Sequence, residues 1–419
     1  MKPLVAVSWC MPPALFPRSI QVARLLKGMS QQGWSTTVVT PARESLSPAD
    51  GIDAELSRIY QGFYNLVSVD LSLARGRSLA DRWRQFGEWR RGERRLNSEE
   101  LWVARATRAA IRALNATASR TLITFAQPWS DHLVGLNVAA RRRDLFWVAH
   151  FSDPWVDSLY LSDLPDPEQA LNREREAAVI ERADAVVFTN PYAAELVMRK
   201  YPESWRRKAH AVPHSMDHDL LPLADRLAVT REGRPFRIAY VGNLFVGRRT
   251  AHDVYEALAS LRRDGRLDGR LELVIVGEGS GLYEARCRVF ELALEGVVKF
   301  LPRVSHIESL ATMRDADMLL LLDAPAETNV FLPSKVVDYL MAGRPILAVT
   351  PGQGASADVM RARGHAVVEP GDVPGIAAVI RHALDGTSGT THRTPASEPF
   401  ALAATARQFA SILELRASQ

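Results

Sequence analysis

A chain of 419 residues exceeds what one ordinary core supports and fits two domains of common size. Hydrophobic residues make up 47% and charged residues 24%, the profile of a globular protein, and a formal charge of +4 is too small at this length to favour nucleic acid as a partner. Cys10 and Cys287 are the only cysteines, which excludes a disulfide framework or a cysteine-rich zinc site and suits a reducing, cytoplasmic compartment.

The opening MKPLVAVSWCMPP has one lysine and a short apolar run. Pro12 and Pro13 follow without a small-residue cleavage site, so it reads as a first strand rather than a signal peptide. No apolar stretch approaches the roughly 20 residues that span a bilayer. Short β-branched runs then alternate with amphipathic helical segments, the pattern of parallel sheets built from βαβ units. In the first half the strands are expected at Leu4–Ser8, Ser35–Thr40, Leu66–Val69, Thr121–Phe125, Phe146–Phe151 and Ala185–Thr189. The first helix is expected to be capped by Ser19, to present Ile20, Val22, Leu25, Leu26 and Met29, and to end at Gly33.

The periodicity lapses over 213–235, a polar stretch bounded by prolines that reads as a linker between domains 1–212 and 236–397. Second-half strands are expected at Phe236–Val241, Leu271–Val276, Val297–Leu301, Met318–Leu322, Pro345–Val349 and Ala366–Val368. Gly386–Ser397 reads as a loop, and a last helix within 398–419, about Phe400–Leu415, is expected to pack back on the first domain. The fold class is α/β: two Rossmann-like, doubly wound parallel-sheet domains.

Ligands of such sheets sit beyond the carboxyl ends of the strands, where helices begin. NVFLPSKVVDYLMAGRPILAV, residues 329–349, is the most informative of these loops. Ser334 reads as a helix cap there. Backbone N–H groups of Ser334, Lys335 and Val336 would face an anion, the Lys335 ammonium adds a charge, and Asp338 can accept from sugar hydroxyls. On spacing alone, a capped helix with a solvated Lys and Asp explains the segment equally well.

NVFLPSKVVDYLMAGRPIL resembles the donor-binding element of GT-B glycosyltransferases, specifically the retaining family 4 group. FRIAYVGNLFVGRRT resembles the first strand and basic turn of that group's donor domain, with Gly242 and Asn243 at the strand's end. LVIVGEG resembles the next strand and its glycine turn at Gly277, and VVKFLPRVSHIESLATMRDADMLLLL the base-binding strand and following helix. PWSDHLVGLNVAARRR and WVAHFSDPW resemble the cleft-facing His and Asp-Pro-Trp loop of the N-terminal domain.

The resemblance implies the GT-B architecture, two domains facing a cleft, and a hexosyl transfer from a nucleotide-diphosphate sugar without a metal or other cofactor. It places Arg248 or Arg249 and Lys335 on the donor diphosphate, Asp338 near the ribose, and Arg303 and Val304 by the base. His132 would reach the transferred sugar, with Asp153 a second cleft candidate. Departures are specific: Val330 stands where the first carboxylate of a Glu-x7-Glu element belongs, leaving Glu327 or Asn329 to reach the sugar, and Pro12, Pro13 and Ala14 replace a Gly-Gly loop. A nucleotide-sugar epimerase or a non-catalytic sugar-nucleotide subunit on the same scaffold are the alternatives. An incomplete glycine fingerprint in both halves disfavours an NAD-dependent dehydrogenase.

Asp315-Ala316-Asp317 looks like a metal-binding Asp-x-Asp but directly precedes a buried-looking strand, Gly277-Glu278-Gly279 is a dinucleotide fragment, and Asp217-His218-Asp219 reads as polar linker. His150 and His214 read as ordinary hydrogen-bonded histidines. The segment Arg75–Arg95 carries eight Arg with Trp83, Phe86 and Trp89 interleaved. As a helix it either packs those aromatics on the core or offers Trp83, Arg84, Trp89 and Arg90 to an acceptor or to the inner face of an anionic membrane. The second choice suits a glycan or lipid-linked acceptor.

Overall fold

The computed structural model describes residues 1–46, 51–76, 78–158, 161, 163–227, 233–247, 249–265, 267, 269–386 and 398–415. The chain divides into two units, Met1–Ser215 with Pro399–Gln419, and Met216–Glu398. The expected loop Gly386–Ser397 lies, from residue 387 on, outside the described residues.

The N-terminal unit carries β1 (Lys2–Val7), β2 (Trp34–Pro41), β3 (Tyr64–Val69), β4 (Thr121–Phe125), β5 (Phe146–His150), β6 (Ala185–Phe188) and β7 (Ala209–Ala211). They form one parallel sheet in the order β3-β2-β1-β4-β5-β6-β7. Every residue of β4 and β5 is buried, as a sheet covered by helices on both faces demands. The edge strand β7 is Ala-His-Ala, which has no β-branched signal to announce it; pairing with β6 creates it.

The first helix runs Pro17–Gln31, and its start corrects the expected cap. Phe16 holds the cap position, Pro17 supplies a preset φ at the first helical residue, and Ser19 is buried inside the first turn. Gly28 on this helix faces the helix Leu402–Glu414, where a Cβ would come within 2.8 Å of Ala406 Cβ. That terminal helix is further tied to the unit by Thr405 and Ser215 hydroxyls at 2.6 Å and by Gln408 Nε2 donating to the Ala211 carbonyl at 2.8 Å.

The C-terminal unit carries β8 (Phe236–Val241), β9 (Leu271–Val276), β10 (Val298–Leu301), β11 (Met318–Leu322), β12 (Ile346–Val349) and β13 (Ala366–Val368), all parallel, in the order β10-β9-β8-β11-β12-β13. The stretch expected as a linker carries regular structure between Met216 and Leu227. It forms a 3-10 turn at His218–Leu220 and a helix at Leu221–Asp225, and Arg314 fastens Asp225 at 2.8 Å. Residues 228–232 of that stretch lie outside the described residues.

Strand order reverses beside the first strand of each unit: β1 lies between β2 and β4, and β8 between β9 and β11. The loops leaving such neighbours go to opposite faces, which opens a crevice at their carboxyl ends. No helix among the described residues is long and apolar enough to cross a membrane.

Candidate functional site

At the switch point of the C-terminal unit, Gly242 ends β8 with a φ of 143°, and a Cβ there would overlap Lys335 Nζ. Gly277 ends β9 with a φ of 148°, and a Cβ there would overlap the Gly242 carbonyl oxygen. Both glycines are therefore required by backbone conformation and by close approach. Asn243 is used locally: its side chain accepts the Glu278 N–H at 3.1 Å and its carbonyl accepts the Tyr240 hydroxyl at 2.8 Å. Phe245 and Arg249 then exchange two backbone hydrogen bonds, 2.9 and 3.0 Å, closing a tight turn. Arg248 lies outside the described residues. Arg249 stacks over the Phe245 ring, 5.9 Å from its centroid, with a buried Nε that has no hydrogen-bond partner among the described residues.

Lys335 opens the helix Lys335–Ala342 after β11. Its Nζ sits 3.9 Å from the centroid of the Tyr240 ring, buried and without a hydrogen-bond partner among the described residues. Burial first, then the neighbouring Arg249, holds this ammonium well below its ordinary value, while Asp323 opposes them. The cap differs from expectation. Ser334 has helical dihedrals and its hydroxyl makes no capping bond, because the chain is already turning at Pro333, whose carbonyl takes the Val336 N–H at 2.9 Å. The N–H groups of Ser334 and Lys335 donate to no backbone carbonyl among the described residues, so two of the three expected donors stand at the helix start. Asp338 lies buried in the first turn.

Two residues that motif reading passes over organise this crevice. Tyr339 accepts the Val241 N–H at 3.0 Å and donates to the Leu320 carbonyl at 3.1 Å, bracing β8 against β11. Asp323, directly after β11, accepts from Asn329 Nδ2 and Thr350 Oγ1, both at 2.8 Å. Burial pushes its carboxyl above the ordinary range, against the Ser356 and Thr350 hydrogen bonds and the fields of Arg249 and Lys335. Asn329, expected at the sugar, has its amide taken up by Asp323, by Ser356 at 3.3 Å and by the Phe331 N–H at 3.0 Å. Glu327 is exposed and Val330 half-buried.

Arg303 and Val304 are half-buried beyond the end of β10, before the capping box of Ser305 and Glu308. Asp315 and Asp317 precede β11, at the opposite end of the strand, and pair with Arg237 and Arg234, Asp317 at 2.9 Å from Arg234.

In the N-terminal unit, His132 on the helix Ser130–Ala139 is wholly buried. Thr124 Oγ1 lies 2.8 Å from Nδ1 and receives Trp147 Nε1–H at 3.0 Å, and Phe151 packs on the ring at 4.4 Å. Nε2 has no hydrogen-bond partner among the described residues. Burial, with Arg18 nearby, lowers this imidazole to about 3, so it is neutral. Its neighbour Asp131 holds the Trp9 N–H and Trp102 Nε1–H, each at 2.7 Å, and burial raises it to about 7. Asp153 is half-buried and receives Gln127 Nε2 at 3.4 Å and Ser152 Oγ at 3.3 Å. His150 is held by Arg18 at 2.9 Å.

The proposed acceptor or membrane face is divided by the structure. Trp83, Trp89 and Arg90 are exposed on the helix Leu79–Arg90, whereas Arg84 turns to the other side and binds Asp70 at 2.5 Å and the Ser72 carbonyl at 2.9 Å.

A doubly wound unit whose switch point is lined by a lysine, an arginine and a helix start offers positive charge where open parallel sheets hold their ligands. Comparison with known families sharpens this. Residues 235–386 match the family described as glycosyl transferases group 1, and residues 19–220 match glycosyltransferase family 4. The chain belongs to these GT-B glycosyltransferases, of the family 4 type, and is a sugar transferase. No curated protein matches the sequence significantly. Among solved structures, Anabaena HepE in complex with UDP and glucose is similar at 14% identity and a TM-score of 0.66, over 98% of this chain and 99% of that one. Sucrose-phosphate synthase from Thermosynechococcus elongatus is similar at 17% identity and 0.64, over all of both chains. The lipopolysaccharide outer core galactosyltransferase WaaB is similar at 13% and 0.59, over 99% of this chain and all of that one.

Proposed function

We propose that the C-terminal unit binds the diphosphate of a nucleotide sugar on Lys335 and Arg249, and that the enzyme passes the sugar to a glycan or lipid-linked saccharide with retention of configuration. The observation carrying this reading is the pair of cations in one crevice, one a buried ammonium without a hydrogen-bond partner among the described residues. A buried lysine without a close counter-ion among the described residues is costly to charge, and a ligand that supplies the opposite charge offsets that cost. A diphosphate suits two cations and a helix start better than a single carboxylate does.

As the bond between the sugar and the diphosphate breaks, negative charge grows on the departing phosphate, and fixed cations there stabilise it most. In the retaining reading, a phosphate oxygen takes the proton of the acceptor hydroxyl while that oxygen bonds to the anomeric carbon on the same face. The protein positions and supplies charge, and needs no nucleophile of its own. Val330 in place of a carboxylate is compatible with that division of labour. Asp338 is proposed for the ribose, Arg303 and Val304 for the base. Within the N-terminal unit, His132 and Asp153 remain the candidates for sugar hydroxyls, His132 through Nε2, which has no hydrogen-bond partner among the described residues.

HepE was crystallised with UDP and UDP-glucose, which makes uridine nucleotides the first ligands to try. Calorimetric titration with UDP, GDP and ADP, followed by nucleotide-release assays with the matching sugars and saccharide acceptors, tests the proposal. Binding by none of the nucleotides refutes the donor site. Conversion of the donor without an acceptor, seen by NMR, replaces transfer with epimerisation.

A further inference from the structure

The helix Leu79–Arg90 has two opposite faces of different character. At about 100° per residue, Leu79, Arg82, Trp83, Phe86, Trp89 and Arg90 fall within about a third of its circumference, with Glu88 diametrically opposite. Trp83 is 74%, Phe86 52% and Trp89 67% exposed. These rings touch one another instead of the core: Trp83 meets Phe86 edge-on at 6.4 Å, and Phe86 stacks on Trp89 at 6.1 Å. An apolar stripe of three large aromatics on a helix surface is the feature that marks a contact site, where scattered single residues do not.

The opposite face is locked. Glu88 is fully buried and accepts the Ala74 N–H at 3.0 Å, Arg94 at 3.1 Å and Arg105 at 3.3 Å, with Arg84 at 3.5 Å. Glu93, equally buried just beyond the helix, takes Arg91 at 2.6 Å, Arg105 at 2.8 Å and Arg108. Those pairs sort the arginines. Arg84, Arg91 and Arg94 are spent on fixing the helix, whereas Arg75, Arg82, Arg90 and Arg95 are exposed and form no ion pair among the described residues.

We propose that this face is a docking surface for an anionic lipid bilayer, entered by Trp83, Phe86 and Trp89 and held by the exposed arginines. Charge complementarity selects the occupant. Indole and phenyl rings settle at headgroup depth, and exposed guanidinium groups beside them match phosphate-bearing headgroups, which a neutral protein surface would not. The double carboxylate anchor presents the stripe as a fixed plate, so docking requires no folding of the helix. The surface lies wholly on the N-terminal unit and is independent of the proposed donor site.

Co-sedimentation of the full-length protein with phosphatidylcholine vesicles, with and without phosphatidylglycerol, tests it. Binding is expected to the phosphatidylglycerol vesicles and to fall as salt is raised. Replacing Trp83 and Trp89 together by Ala is expected to weaken it about ten-fold or more, and each of Arg82→Gln and Arg90→Gln roughly five-fold. Tyr283→Ala, an equally exposed aromatic on the other unit, is expected to change nothing. All the substituted side chains are exposed, and unchanged melting temperatures establish that the variants fold. Equal binding by the tryptophan variant, equal binding to vesicles lacking phosphatidylglycerol, or a dimer in light scattering that the tryptophan variant breaks would each overturn the proposal.

Discussion

Lys335 Nζ occupies the space that a side chain on Gly242 would fill, and rests there over the face of Tyr240 at 3.9 Å. The glycine at the end of β8 and the lysine at the start of a helix 93 positions later are thus parts of one device. Cation–π attraction to Tyr240 offsets part of the desolvation of the ammonium while leaving its N–H donors available. Lys335→Ala is expected to cost about 100-fold in nucleoside-diphosphate affinity, the scale of removing one charge-assisted hydrogen bond from a buried site. Gly242→Ala should have a similar effect by another route. It forces a left-handed φ on alanine and displaces Nζ, so it also lowers stability by about 1–3 kcal/mol. Calorimetry for binding and chemical denaturation for stability separate the two. Undiminished binding in Gly242→Ala would show that the ammonium is not a ligand.

Proton linkage gives a second check. Burial and Arg249 hold the free Lys335 below its ordinary value, and a diphosphate beside it raises that value again. Binding then takes up a proton wherever the pH lies between the free and bound values. Over that interval affinity weakens as pH rises, by up to about ten-fold per unit. Titrations in buffers of different ionisation enthalpy measure the proton directly. Proton release on binding would contradict the assignment.

Much of this site was legible because sheet, loop and helix signals are local. Val298, Met318 and Ile346 open strands within a residue of where β-branched and aliphatic runs placed them, and Lys335 follows from its position at a helix start beyond a strand. Asp323 also had a signal, an acid at the carboxyl end of the buried run Met318–Leu322, but nothing in sequence brings Asn329 and Thr350 to it. Tyr339 reads as one more core aromatic on its helix; its hydroxyl matters through a partner 98 residues away. Trp83 and Trp89 resemble core residues by composition, and only the burial of Glu88 reveals which side of their helix faces inward. Function hidden in pairs distant along the chain is what motif reading misses.

The N-terminal unit should be acid-sensitive. His132 and His214 are lowered to about 3 and His150 well below its ordinary value, chiefly by burial, so the folded protein does not take protons there that the unfolded chain takes below about 6.5. Their contribution to stability is complete above pH 6.5 and is lost on descending toward 3, at up to about 1.4 kcal/mol per pH unit each. Asp131 has the opposite sign. Raised to about 7, it favours the folded state below the unfolded carboxylate value of about 3.9 and loses that advantage as pH climbs to 7. Between about pH 4 and 6.5 the histidines outnumber it, so stability measured by urea denaturation should fall from pH 6.5 to 5. His132→Gln should reduce that slope by about one proton. Parallel curves for the two proteins would show that His132 titrates normally.

The terminal helix provides the last test, at Gly28. A Cβ there would meet Ala406 Cβ at 2.8 Å and the Leu402 carbonyl oxygen at 3.2 Å, distances that require one helix to shift. Replacing a helical glycine by alanine gains about 1 kcal/mol of propensity, while overpacking a tight contact costs about 1–3 kcal/mol. The two nearly cancel for Gly28→Ala, so Gly28→Leu is the sharper variant: its propensity gain is no larger and its bulk has nowhere to go. Destabilisation of at least about 2 kcal/mol is expected, together with faster hydrogen exchange over Leu402–Glu414. Loosening should spread to Ser215 and Ala211, which Thr405 and Gln408 hold. Pairing Gly28→Ala with Ala406→Gly removes the colliding methyl, so the double variant should be more stable than the sum of its parts. Strict additivity would mean that the two helices do not pack at this position.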